Sequence, residues 1–240
     1  FSTESFLNTL SNPSKLDISV LINASDILEN NSDGIKTISQ LFPLKAKESK
    51  VDIVRIATTI KNLQRLDEIT KFLRENGYFI SINIMKCHIL NKDEIKKIKR
   101  IIKNLELDLI YIADSLGCCL PEDIEFIVKE LKSQFNYEIG IHSHDNKGLA
   151  LANTLAAIKS GATYLDSTML GMGRGAGNTK TEELISIINS TNKIEDFAPI
   201  ASFVEGFQRP LKIEKSWGSS IYYNISSSLK LHPTFIQEMS

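Results

Sequence analysis

Short runs of apolar and β-branched residues alternate along most of this chain with longer stretches in which apolar positions return every three or four residues. The runs at 16–23, 51–57, 78–85, 109–115, 138–144 and 164–170 predict six strands, the first expected to be buried. Between them the helical period appears at 2–10, with Phe1 already inside that pattern and Ser11-Asn12-Pro13 as its stop, and in a patch through Ile38 and Leu41 after a polar loop from Asp26 to Gly34. It returns at 63–76, closed by Gly77, and at 92–105, 121–135, 147–160 and 181–190. Pro121 stands at a first-turn position, where its missing N–H costs nothing. Strand–helix units repeating at roughly 25 to 35 residues require crossover connections and a parallel sheet covered by helices.

Two architectures accept this pattern: a doubly wound open sheet and a (β/α)8 barrel. An open sheet gathers its ligand at the single crevice where strand order reverses, so few strand ends need be polar. A barrel brings every strand's C-terminal end to one mouth. Here almost every strand carries polar residues near that end: Arg55, Asn83, Asp114 with Ser115, His142 with His144, and Asp166 with Ser167 and Thr168. The barrel is therefore expected, as a TIM barrel showing six of its eight strands, with the shortfall at the front. Residues 1–191 read as the barrel and 192–240 as a C-terminal helical extension, its helix running through Ile194, Phe197, Ile200, Val204 and Phe207 and ending at Pro210. The tail's aromatic residues read as packing against the barrel or a second subunit.

The chain has 240 residues, 42% of them hydrophobic, which suffices for one substantial core. Its 28 basic and 29 acidic residues give a net charge of −1, which offers no electrostatic basis for binding nucleic acid or an anionic membrane. No apolar run approaches the roughly 20 residues of a membrane helix, and the first ten lack a signal peptide's pattern, so a cytoplasmic protein is expected. Cys87 stands alone and Cys118 adjoins Cys119. That spacing indicates neither a disulfide framework nor a zinc knuckle, and the three read as reduced packing residues.

The candidate chemistry centres on IGIHSHDN at 139–146. Alternate residues of a strand share a face, so His142 and His144 are expected to project side by side from its C-terminal end. Imidazole is the commonest side-chain ligand for a divalent transition metal, and such a pair needs only one or two further donors. The alternative is a pair of solvent-facing loop histidines. After the last strand, glycines at 171, 173, 175 and 177 let backbone approach a ligand closely. The loop fits neither a dinucleotide fingerprint nor a phosphate loop. It is either a ligand-binding loop or a flexible turn with Asn178 or Thr179 capping the next helix. Arg55 either binds a carboxylate or pairs with Asp114 or Asp166, and Asn83 is either a donor at the mouth or a structural group.

The run at 142–183, HSHDNKGLALANTLAAIKSGATYLDSTMLGMGRGAGNTKTEE, resembles the metal-dependent lyase and aldolase superfamily that includes 4-hydroxy-2-oxovalerate aldolase, hydroxymethylglutaryl-CoA lyase and isopropylmalate synthase. The likeness lies in His-x-His, the ANTLAA helix, Gly-Ala-Thr, Asp-x-Ser/Thr and a glycine-rich loop ending Ala-Gly-Asn. Weaker agreement runs through VDIVRIA, ISINIM and IADSLG to WGxxxxY and HPTFIQEM. The resemblance implies a (β/α)8 barrel with Mn2+ or Mg2+ at its mouth, His142 and His144 as metal ligands, and Asn178 as a further ligand or supporting group. By the same likeness Ser115 helps hold a 2-oxo acid, and Tyr223 resembles a C-terminal tyrosine that assists proton transfer.

The family's first-strand Asp-x-Thr-x-Arg-Asp motif is absent, and Phe1 resembles a point after the second strand. A fragment lacking two strands, inactive alone, is therefore expected. The loop has no lyase-type cysteine and reads Gly-Arg-Gly-Ala-Gly-Asn where the synthases have Gly-Glu-Arg-Ala-Gly-Asn, which favours the aldolase branch. The implied reaction is C–C bond cleavage or formation beside a 2-oxo acid carbonyl, with a 2-oxo acid and an aldehyde as small-molecule partners. The resemblance also admits a homo-oligomer and an aldehyde dehydrogenase partner. The alternatives are Claisen-type acyl transfer from acetyl-CoA to a 2-oxo acid and a truncated, non-catalytic barrel.

Overall fold

The computed structural model describes residues 2–10, 16–28, 34–189 and 194–238. Phe1, the stop at Ser11-Asn12-Pro13 and residues 29–33 of the polar loop lie outside the described residues. Six strands are present among those described: β1 (Ser19–Asn23), β2 (Ile53–Thr58), β3 (Phe79–Met85), β4 (Leu109–Asp114), β5 (Glu138–Ser143) and β6 (Tyr164–Leu165). They follow one another in a single sheet in chain order, and β1 with β2, β2 with β3 and β5 with β6 pair in parallel. A doubly wound sheet reverses its order at a switch point. Strict chain order with a helix after each strand is the TIM-barrel arrangement, as the polar strand ends led one to expect. No described helix is long and apolar enough to cross a membrane.

The chain divides into two compact units. The first holds Phe1–Met85, Leu90–Tyr111 and Leu131–Glu138. In β3, Ile80, Ile82 and Ile84 share one face and Ser81 and Asn83 the other, and all five are buried, as a strand covered on both faces requires. The helix Lys92–Ile102 begins at Asn91, whose side chain accepts from the N–H groups of Asp93 and Glu94, and it buries Ile95, Ile98 and Ile102 along one stripe. The expected helix at 63–76 is in fact two, Ile60–Leu63 and Asp67–Glu75. Asp67 and Glu68 mark the start of the second, where acidic groups face the positive end of the helix dipole. It ends at Gly77, with φ of 83°, through bonds from Gly77 N–H to the Arg74 carbonyl and from Tyr78 N–H to the Leu73 carbonyl. β1 is not the buried strand expected: Leu21 is 51% exposed. Its branched residues report fitness for a pleated strand rather than burial.

The second unit holds Lys86–Ile89, Ile112–Glu130 and Ile139–Ser240. β6 is two residues long instead of the seven expected, and beyond it the chain turns at Met169–Gly171, with Leu170 at φ 50°, into the glycine-rich loop. Pro210 does not end the tail helix. The helix Ile194–Phe203 widens into a π turn at Val204–Gln208 and resumes as Arg209–Lys215. The wider turn restarts the ladder at Arg209, so Pro210 sits in a first turn, where no N–H is required. The helices Ile221–Ser228 and Thr234–Gln237 follow.

Candidate functional site

β5 delivers His142 and His144 from its end to the same side. Their ring centroids are 4.8 Å apart at an interplanar angle of 81°, and both side chains are half-buried rather than loosely solvent-facing. Each ring is anchored through Nδ1. His142 Nδ1 is 2.8 Å from Asp166 Oδ2, and His144 Nδ1 is 2.8 Å from the Asp114 carbonyl oxygen. A carbonyl only accepts, so His144 carries its proton on Nδ1 and presents the Nε2 lone pair. The Asp166 carboxylate accepts from His142 Nδ1–H in the same way. Anchoring of one ring nitrogen by a carboxylate or carbonyl is the usual support of a metal-binding imidazole. Burial, reinforced by neighbouring His142 and, more weakly, by Arg174 and His232, lowers the pKa of His144 to about 4. Its neutral, ligating form is therefore the resting form near neutrality.

Asn178 lies beside this pair through a backbone bridge to His144, fixed by Asp145 N–H donating to the Gly177 carbonyl and Asn178 N–H to the Gly171 carbonyl. Its Nδ2 donates to the Met172 carbonyl, while its Oδ1 is buried without a hydrogen-bond partner. Two anchored imidazoles and an orphaned buried acceptor on the residue whose backbone bridges to His144 are donor types suited to a divalent cation that takes nitrogen and oxygen ligands. The loop's glycines make this approach possible. A Cβ on Gly173 would stand 2.3 Å from Asn178 Nδ2. Gly173→Ala is expected to push the Asn178 amide aside and weaken metal binding at least about tenfold, as loss of a supporting contact does, measured by Mn2+ titration. Neither Asn178 nor Thr179 caps the following helix. Lys180 holds that position without a side-chain bond, and Thr179 Oγ1 instead meets Thr154 Oγ1 at 2.8 Å.

The segment joining the helices Arg209–Lys215 and Ile221–Ser228 reaches the same loop. Trp217 Nε1 donates to the Leu170 carbonyl at 3.0 Å, Gly218 N–H to the Gly175 carbonyl at 3.0 Å, and Ser219 Oγ to the Asn146 carbonyl at 3.2 Å. The Tyr223 ring lies against Gly175, where an added Cβ would be 2.9 Å from its edge. Ser115 Oγ accepts from Lys86 N–H at 3.0 Å, which leaves its hydroxyl proton to donate. In the other unit, Arg55 Nε donates to Asn83 Oδ1 at 3.3 Å, and the guanidinium lies 3.9 Å over the Tyr111 ring. Asp114 directs its carboxylate to the N–H groups of Cys118 and Cys119.

Three features escaped the reading of the sequence. Asp166 is the anchor of His142, which only the Asp-x-Ser/Thr element hinted at. Arg174, in the glycine-rich loop, and His232, which opens HPTFIQEM, lie near enough to act on His144, a role neither stretch announces.

The HMGL-like family profile matches residues 34–203. The curated 4-hydroxy-2-oxovalerate aldolase of Geobacillus genomosp. 3 is 36% identical over 156 residues, 65% of this chain and 46% of that protein. That of Pelotomaculum thermopropionicum is 31% identical over 195 residues, 78% of this chain and 57% of its own length. The chain thus spans about half the length of these relatives. Among solved structures, the N-terminal domain of a candidate aldolase from Bacteroides vulgatus superposes with a TM-score of 0.80 at 28% identity, over 98% of this chain and 76% of that one. The HMG-CoA lyase of Bacillus subtilis has a TM-score of 0.64 at 16% identity, over 86% of this chain and 77% of that one, a likeness of fold alone. With more than half of its residues under the profile, the chain belongs to the HMGL-like family.

Proposed function

We propose that the protein is a divalent-metal-dependent aldolase that cleaves a 4-hydroxy-2-oxo acid into pyruvate and an aldehyde, or joins them. The observation that carries this reading is the anchoring of both imidazoles through Nδ1, with the unpartnered Oδ1 of Asn178 on the residue bridged to His144. In it, residues 1–191 form the barrel that carries the chemistry, 192–240 form the helical extension, and His142, His144 and Asn178 hold Mn2+ or Mg2+. Such a cation, when bound, supplies Lewis-acid stabilisation at the carboxylate and keto oxygens of a 2-oxo acid.

The side chains divide the remaining work. The Ser115 hydroxyl donates toward the negative charge that grows on the keto oxygen as the C3–C4 bond breaks and its electron pair enters the pyruvate enolate. A donor in that role is typically worth about 3 to 4 kcal/mol of barrier. Tyr223 relays the proton that leaves the 4-hydroxyl, and the enolate is finally protonated at C3. Within the first unit, Arg55, stacked on Tyr111 and bonded to Asn83, has the planar orientation suited to a carboxylate, and Asn83 a donor for one. Arg174 near His144 adds positive potential that favours an anionic substrate. Three free, buried thiols suit a reducing, cytoplasmic setting.

The test is pyruvate release from a 4-hydroxy-2-oxo acid by the whole protein. Activity is expected to vanish on chelation and to return with Mn2+. Thiol release from acetyl-CoA in the presence of a 2-oxo acid, without pyruvate release, would replace this reading with Claisen-type acyl transfer.

A further inference from the structure

We propose that Cys87, Cys119 and Asp114 form a second cation site, built for a thiophilic ion such as Zn2+ and separate from the His142/His144 pair. The three residues come from three places in the sequence. Cys87 opens the turn Cys87–Ile89, Asp114 is the last residue of β4, and Cys119 lies in the loop before the helix Pro121–Gln134. Their ligand atoms all lie within 4.8 Å of one another, and their exposures are 0%, 0% and 1% for Cys87, Asp114 and Cys119.

The spacing is that of a tetrahedral site. Two thiolates bound to one Zn2+ at Zn–S of about 2.3 Å stand roughly 3.8 Å apart along a tetrahedral edge. Cys87 Sγ and Cys119 Sγ are 3.7 Å apart. At that distance the two free thiols share a hydrogen bond, which a bound ion would replace without moving either sulfur far. The donors are also braced. Each Asp114 carboxylate oxygen accepts one backbone N–H, from Cys118 at 3.1 Å and Cys119 at 3.0 Å, which fixes its plane and leaves lone pairs for an ion. The loop is pinned by Asn153 Nδ2 donating to the Cys119 carbonyl and Lys147 Nζ to the Cys118 carbonyl. Beside Cys87, the His88 Nδ1 is buried with no hydrogen-bond partner.

Ligand softness separates the two sites. Two sulfurs and one carboxylate select Zn2+ over Mn2+ or Mg2+, whereas imidazole and amide oxygen suit the latter better than thiolate does. Binding converts two thiols to thiolates and releases two protons to solvent, with no change of oxidation state. Because the donors are buried, the ion is taken up as the protein folds.

The test is X-ray absorption at the zinc edge on the whole protein refolded with one equivalent of Zn2+ and an excess of Mn2+. Two sulfur scatterers at about 2.3 Å are expected. A shell of nitrogen and oxygen alone overturns the proposal, and that readout on the unmodified protein does not depend on any variant folding. Cys87→Ser is expected to remove one sulfur from the shell, and an unchanged shell refutes the assignment. His142→Ala should lose metal-dependent C–C cleavage yet keep both sulfurs, so failure of the aldolase reading and failure of this one are told apart.

Discussion

Alanine at His142 is expected to lower metal-dependent pyruvate release by more than a hundredfold and to raise the Mn2+ concentration needed for half-maximal activity. The imidazole is one of two nitrogen donors presented by the strand end, and nothing else on that strand can replace it. Asp166→Asn should do less, about 10 to 100-fold, because it removes the group that orients His142 rather than the donor itself. An amide at 166 still offers an oxygen to Nδ1–H but without charge, so the ring keeps its place on a weaker hydrogen bond. The graded pair is the informative result. Unchanged turnover in His142→Ala removes the histidines from the chemistry, while equal losses in both variants would point to collapse of the strand end instead.

The second large effect is on stability. In metal-free protein His144 has its pKa lowered from 6.5 to about 4, first by burial and then by His142. The unfolded chain therefore takes up a proton at 144 as pH falls through about 6.5, while the folded chain resists until about 4. Within that window the unfolded state binds more protons, so stability falls with falling pH. The difference of about 2.5 units corresponds to about 3 kcal/mol lost by pH 4. Urea unfolding of the chelated protein at pH 7, 5.5 and 4.5 should show this decline. His144→Asn, which keeps a donor for the Asp114 carbonyl, should show a shallower one. Identical slopes in the two proteins would mean that His144 is not the neutral imidazole described above.

Much of this was legible in the chain itself, and for identifiable reasons. Strand-end polarity is a local signal, and Arg55, Asn83, Asp114, His142 and Asp166 all lie on or just after the predicted strands. Period two placed His142 and His144 on one side because β5 is regular up to Ser143. Gly77 announced its helix end because a left-handed residue there leaves glycine as the easy choice. What failed were inferences from residue type without partners. Branched residues at 16–23 did not reveal that Leu21 faces out, and Pro210 did not reveal that a π turn upstream would make it a helix start. The thiol pair was hidden for another reason: Cys87 and Cys119 are 32 positions apart, and only the fold brings their sulfurs together.

The fastening of Trp217, Gly218 and Ser219 onto the glycine-rich loop and Asn146 carries a genetic consequence. A nonsense or frameshift lesion near codon 215 would leave every strand intact, yet it would strip the buttress from the segment that carries Asn178. Alleles truncated there should behave as nulls, comparable in severity to missense changes at the histidines more than seventy codons upstream.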